Sequence, residues 1–136
     1  MKLLKSIPFI LILLVIVTVV FSFTPVKQIA VNKWHGIASY YHPKFNGRKT
    51  STGEIFSNSK LTAANNFLKL GTLVKVTNVK NQKSIIVKIN DRMNKNNQRL
   101  IDLSQAAAAK LGLIHQGLGE VEMEVLSLED QLIVQR

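Results

Sequence analysis

Cysteine is absent from the 136 residues, and tryptophan (1), tyrosine (2), proline (3) and acidic side chains (8, against 18 Lys and Arg) are scarce. Without thiols there is no disulfide framework, no zinc ribbon, no Cys nucleophile and no lipid-modified cysteine, so an apolar core must hold the fold. The three histidines, His35, His42 and His115, lack metal-ligand spacing, which argues against a resident metal. Ser39, Ser51 and Ser57 have no Gly-x-Ser-x-Gly context, so serine hydrolysis is unsupported. The length suits one domain.

Against this scarcity stands one long charge-free run, Ile7 to Phe23, which follows Lys2 and Lys5. Its 17 residues exceed an ordinary signal-peptide core and fall just short of a comfortable membrane span. Residues 1–26 are therefore expected to be a signal peptide or an N-terminal membrane anchor helix, and the rest is expected outside the cytoplasm.

The net charge of +10 is unevenly placed. From Lys27 to Arg99 there are 14 basic residues and 2 acidic ones; from Leu100 onward there are 2 basic and 6 acidic. Such a cationic middle attracts polyanions, and export disfavours nucleic acid in favour of anionic lipid or wall polymer. The two acids that interrupt the basic stretch, Glu54 and Asp91, sit among Gly, Thr, Asn and Arg rather than on an alternating surface strand. They are the first candidates for chemistry.

Beyond residue 27 short strands alternate with turns. Val31 to Tyr41 reads as a strand whose Gly36 marks a bulge or a close backbone approach. His42 to Gly53, with Pro43, Gly47 and Gly53, reads as a long loop. Thr72–Thr77 and Ser84–Asn90 form a hairpin, and Met93–Gln98 is a polar loop. One helix is expected over Gln105–Leu111, capped by Ser104, built on four successive alanines and stopped at Gly112, with Asp102 helping to hold its N-terminus. Glu120 to Leu126 alternates, with Val121, Met123 and Val125 inward and the glutamates on a solvated face. About six short strands in so small a domain favour a closed barrel, which leaves few edges.

The segments GIASYYHPKFNGRKTSTGE, LTAAN, LKLGTLVKVTN, VKINDR and RLIDLSQAAAAKLGLI, followed by GLGEVEMEVL, resemble the rare lipoprotein A (RlpA-like) family over Trp34 to about Leu126. The resemblance implies a mainly β fold, a small six-stranded double-psi β-barrel with one short helix. It implies a domain over residues 34–127, between a 27–33 linker and a 128–136 tail. It further implies lytic transglycosylation of peptidoglycan glycan strands in the cell envelope, without cofactor, by a monomer; a non-catalytic expansin-like glycan-binding barrel is the alternative. By the same resemblance Asp91 is the catalytic acid/base, held protonated by burial with Arg92 pointing away, and Glu54 lines the same groove. Asn65, Tyr40, Tyr41, Arg48 and Thr50 are the expected substrate-binding residues, the tyrosines by stacking on a pyranose face. Two positions depart from the family's pattern: Asn65 stands where it often has His, and Met93-Asn94 where it often has Gly-Pro.

Overall fold

The computed structural model describes residues 32–136, so the apolar run expected as signal peptide or anchor lies outside the described residues. Among the described residues no helix is long and apolar enough to cross a membrane. Six strands close into a barrel: β1 (Lys33–Tyr40), β2 (Thr62–Ala64), β3 (Leu73–Asn78), β4 (Ser84–Asp91), β5 (Ile101–Leu103) and β6 (Gly119–Val125). Their order around the barrel is β1-β5-β2-β4-β3-β6. Two pairs, β1 with β5 and β2 with β4, run parallel, and the remaining four are antiparallel. This is the mainly β closed barrel that the resemblance implies.

Alternation builds the core. Val74 and Val76 of β3, Ile85, Val87 and Ile89 of β4, Ile101 and Leu103 of β5, and Val121 and Met123 of β6 are all buried, while their neighbours along each strand face outward. Helix α1 (Gln105–Lys110) closes one side with buried Ala107 and Ala108. Ser104 caps it by accepting from the Ala107 N–H, and Gly112, at φ +73°, takes the left-handed position past its end.

Gly36 makes a close approach rather than a bulge. The β1–β6 register is unbroken from Lys33 to Ala38, and a Cβ at residue 36 would lie 2.7 Å from the Leu100 Cβ. The irregularity falls instead between β2 and β4, where Ala63 pairs with Ile89 but Ala64 pairs with Asp91, leaving Asn90 as the extra residue.

The outward glutamates of β6 do more than meet solvent. Glu122 pairs with Lys33 at 2.7 Å and His35 at 3.3 Å, and Glu124 pairs with Lys33 at 3.3 Å and Lys75 at 3.8 Å, tying β6 to both neighbours. Two elements go beyond the sequence reading. β2, Thr-Ala-Ala, has little intrinsic strand preference and is held by its partners on both sides. The C-terminal residues form helix α2 (Leu128–Val134), capped by Ser127, whose Leu128, Leu132 and Ile133 are exposed.

Candidate active site

The Asn90 bulge decides which way Asp91 faces. Strict alternation from Ile89 would place residue 90 outward and residue 91 back in the core phase; one extra residue reverses that. Asp91 consequently shares a face with its partner Ala64 and lines a cavity of about 600 Å³ together with Tyr40, Tyr41, Phe45, Arg48 and Asp102.

Four donors converge on the Asp91 carboxylate. Oδ1 accepts from the Ser51 N–H at 2.9 Å, the Ser51 hydroxyl at 2.8 Å and the Arg92 N–H at 2.8 Å. Oδ2 accepts from the Tyr41 hydroxyl at 2.6 Å. Burial by itself pushes this carboxyl up; the hydrogen bonds from Tyr41, Ser51 and the Arg92 amide outweigh it and hold the group below the ordinary Asp range. The expectation of an Asp91 kept protonated by burial is therefore corrected: the resting carboxylate is an anion. Burial first, and then the neighbouring Asp91, push the Tyr41 phenol far up, so Tyr41 stays a neutral donor. Arg92 does point away, with Nη1 donating to the carbonyls of Asn65 at 2.6 Å and Leu68 at 2.7 Å.

The aromatic floor is built around Tyr41. Its ring meets Phe56 at 4.3 Å and Phe45 edge-on at 5.7 Å, while the Arg48 guanidinium lies 5.4 Å from the centre of the Phe45 ring. Tyr40 contributes to the same cavity, and its hydroxyl donates to the Ile114 carbonyl at 2.9 Å.

The other expected site residues take different places. Glu54 is exposed and does not line the cavity. Its carboxylate accepts from Lys88 Nζ at 2.9 Å and Asn90 Nδ2 at 3.3 Å, and these contacts, Lys88 first, hold it below the ordinary Glu range. Thr50 is buried; its hydroxyl meets that of Thr52 at 2.8 Å and its N–H donates to the Glu54 carbonyl, shaping the turn that carries Ser51. Asn65 is wholly buried, and its amide donates to the Leu100 carbonyl and accepts from the Phe67 and Leu68 N–H groups. Every polar atom of that side chain is used inside the protein, so the position departing from the family's His organises a loop.

Ser104 caps α1 as expected, whereas the Asp102 carboxylate, expected to help hold that N-terminus, bonds elsewhere. Asp102 instead faces the cavity and takes a bidentate contact from Arg99, Nε to Oδ1 at 2.7 Å and Nη2 to Oδ2 at 2.9 Å. The pattern Ile101-Asp102-Leu103 carried that signal: a lone acid between two buried residues of a strand faces the other way. Ser51, Phe45 and Phe56 had no such signal, because loop closure brings them in.

Residues 33–123 match the family model described as lytic transglycolase. The chain belongs to that family. Among its relatives is the endolytic peptidoglycan transglycosylase RlpA of Pasteurella multocida, 51% identical over 96 residues, which are 71% of this chain and 33% of that protein. The protein of the same name from Haemophilus influenzae is 48% identical over 91 residues, 67% of this chain and 32% of the relative. The chain thus spans about a third of the length of these curated relatives. Its barrel is similar to the Streptomyces papain inhibitor, with TM-score 0.59 and 23% identity over 74% of this chain and all of the other. An expansin of Clavibacter michiganensis in complex with cellohexaose gives TM-score 0.58 and 17% identity, covering 71% of this chain and 51% of that one. At such identities the two structures speak for the double-psi fold alone.

Proposed function

We propose that the chain cleaves the glycan strands of peptidoglycan by lytic transglycosylation, outside the cytoplasm, with the Ile7–Phe23 segment serving as export signal or membrane anchor. The observation that carries this reading is the Asp91 carboxylate, held as an anion by Tyr41, Ser51 and a backbone amide in an aromatic-lined cavity. Relatives named endolytic peptidoglycan transglycosylases support it.

Breaking a glycosidic bond requires a proton on the leaving oxygen and stabilisation of an oxocarbenium-like carbon. In transglycosylation the 6-hydroxyl of the muramic sugar then closes a 1,6-anhydro ring, so no water is consumed. A fixed anion suits the second requirement, since its donors are already oriented and little reorganises as positive charge develops. Tyr40 and the Phe45–Arg48 pair offer apolar and cationic surface to sugar rings and their carboxylate substituents. Glu54 serves as a positioning residue. Its carboxylate grips Asn90, the residue whose extra length aims Asp91, while the Thr52 N–H binds the Asn90 carbonyl from the same turn.

The test is mass spectrometry of soluble products after the detergent-solubilised full chain is incubated with purified peptidoglycan. Muropeptides or sugars ending in 1,6-anhydro-muramic acid, lost in Asp91→Asn, are the expected result. Ordinary reducing ends would replace the reading with hydrolysis. Retained binding without any product would replace it with a glycan-binding barrel, a second reading favoured by the saturation of Asp91 with donors.

A further inference from the structure

Among the described residues Phe67 is the one Phe, Tyr or Trp that stands exposed, at 55%. A ring in water on a loose loop would need no explanation. This loop is held from two sides. The Asn65 side-chain oxygen accepts from the Phe67 N–H at 3.0 Å and the Leu68 N–H at 2.7 Å. From the other side Arg92 Nη1 donates to the carbonyls of Asn65 at 2.6 Å and Leu68 at 2.7 Å, bracketing Phe67. The ring itself meets Trp34 at 5.3 Å and 55°, and Trp34 packs against the core. Backbone and ring are both fixed while half the side chain faces water. A rigid aromatic of this kind can bind with little loss of conformational freedom.

The Phe67 loop is bonded to the wall of the cavity. Arg92, whose guanidinium clamps the loop, gives its own N–H to the Asp91 carboxylate at 2.8 Å. Asn66 reaches across, its side-chain oxygen accepting from the Met93 N–H at 2.8 Å and its amide donating to the Asn94 carbonyl at 3.3 Å. Residues 92–94 thus line the cavity and carry the loop that presents Phe67. The two positions that depart from the family's pattern, Asn65 and Met93-Asn94, both belong to this link.

A glycan strand is a polymer, so one seated at Asp91 continues past the cavity wall. The chemistry beyond that wall suits it. Phe67 and Trp34 offer an apolar surface to the C–H face of a pyranose, and Asn66 and Asn94 carry amides that match hydroxyl and N-acetyl groups. Residues 60–70 and 92–98 include Lys60, Lys69, Arg92 and Lys95 but no acid that would repel an anionic polymer.

Resting on the transglycosylase reading, we propose that Phe67, backed by Trp34, is an outer sugar subsite that stacks on a pyranose of the glycan strand beyond the Met93-Asn94 wall. It takes no part in the chemistry. An interaction made equally before and during bond breaking lowers KM and leaves kcat unchanged. The subsite therefore selects strands long enough to reach over the wall.

Trp34 is the single tryptophan of the chain, so intrinsic emission reports on this platform. The experiment titrates the full chain, in detergent, with peptide-free glycan strands or with a disaccharide cut from them, and records emission before products accumulate. Long strands are expected to change the Trp34 emission, whereas the disaccharide, held within the cavity, leaves it unchanged. Phe67→Ala is expected to weaken the long-strand titration by about 3- to 10-fold and to raise KM alike, with kcat and the melting temperature retained; Phe67→Tyr restores both. A merely structural ring would lower the melting temperature and leave the titration in place, which overturns the assignment. Self-association of the chain that Phe67→Ala abolishes, without a response to glycan, gives the patch to a second copy and also overturns it. Anhydro products from wild-type protein with a silent Trp34 overturn the subsite and leave the transglycosylase reading standing. A Trp34 response without anhydro products overturns that reading instead and leaves a glycan-binding platform.

Discussion

The two walls of the barrel are stabilised by the same kind of ladder and used in opposite ways. On the β3–β6–β1 side the strands are long, the register is continuous, and Lys and Glu face one another across it. On the β4–β2–β5 side two strands have three residues each, one register slips, and much of the bonding is done by loop side chains such as Ser51, Asn65 and Ser104. The regular wall can hold itself by cross-strand pairing. The irregular wall has traded ladder bonds for side chains aimed at a cavity, and both cavity-facing acids belong to it.

This contrast breaks most visibly at Asp91. Asp91→Asn is expected to reduce anhydro-product release by about 10³-fold or more, from loss of a preorganised charge. Glu54→Gln, which loosens the bulge without removing the anion, is expected to lose less, and rate measurements on both variants check the order. The next largest effect is on stability. Ile89→Ala empties a fully buried site beside the bulge and is expected to cost about 2–5 kcal/mol in denaturant unfolding. Gly36→Ala drives a methyl toward the Leu100 Cβ, 2.7 Å away, and is expected to cost about 1–3 kcal/mol by the same measurement.

Acidity separates the walls more gently. The folded-state pKa of Asp91 is depressed, so its contribution to stability is complete above the unfolded value of about 3.9 and fades as pH falls toward the lowered one. Asp91→Asn is expected to flatten the loss of melting temperature below about pH 4. The smallest effect belongs to the regular wall, where Glu124→Gln is expected to change stability by less than about 1 kcal/mol, because its pairs with Lys33 and Lys75 are partly solvated.

The regular wall was also the legible one. Clean alternation in Glu120–Leu126 and the hairpin either side of Asn78–Lys83 mark their strands from residue order alone, and Ser104, the alanines and Gly112 mark α1. β2 was not legible because alanine packs in any context, and its strand exists only through two neighbours. Helix α2 went unread because Leu128–Val134 lacks a partner face that would give its apolar residues a periodic pattern. At the site, Asp91 stood out as an acid in a basic stretch, but its ionisation did not. That depends on Tyr41 and Ser51, 50 and 40 residues away, and on one residue of slippage at Asn90. Glu54 stood out for the same compositional reason as Asp91, yet the fold sends its carboxylate to Lys88 and Asn90.

The ionisation of Asp91 separates a mechanism in which Asp91 itself carries the proton from one in which it serves as a fixed anion. A carbon-detected NMR titration of the Asp91 side-chain carboxyl, assigned by its loss in Asp91→Asn, measures it directly. A midpoint well below the ordinary value of about 3.9 is expected. A midpoint above that value would contradict it and return the proton to Asp91.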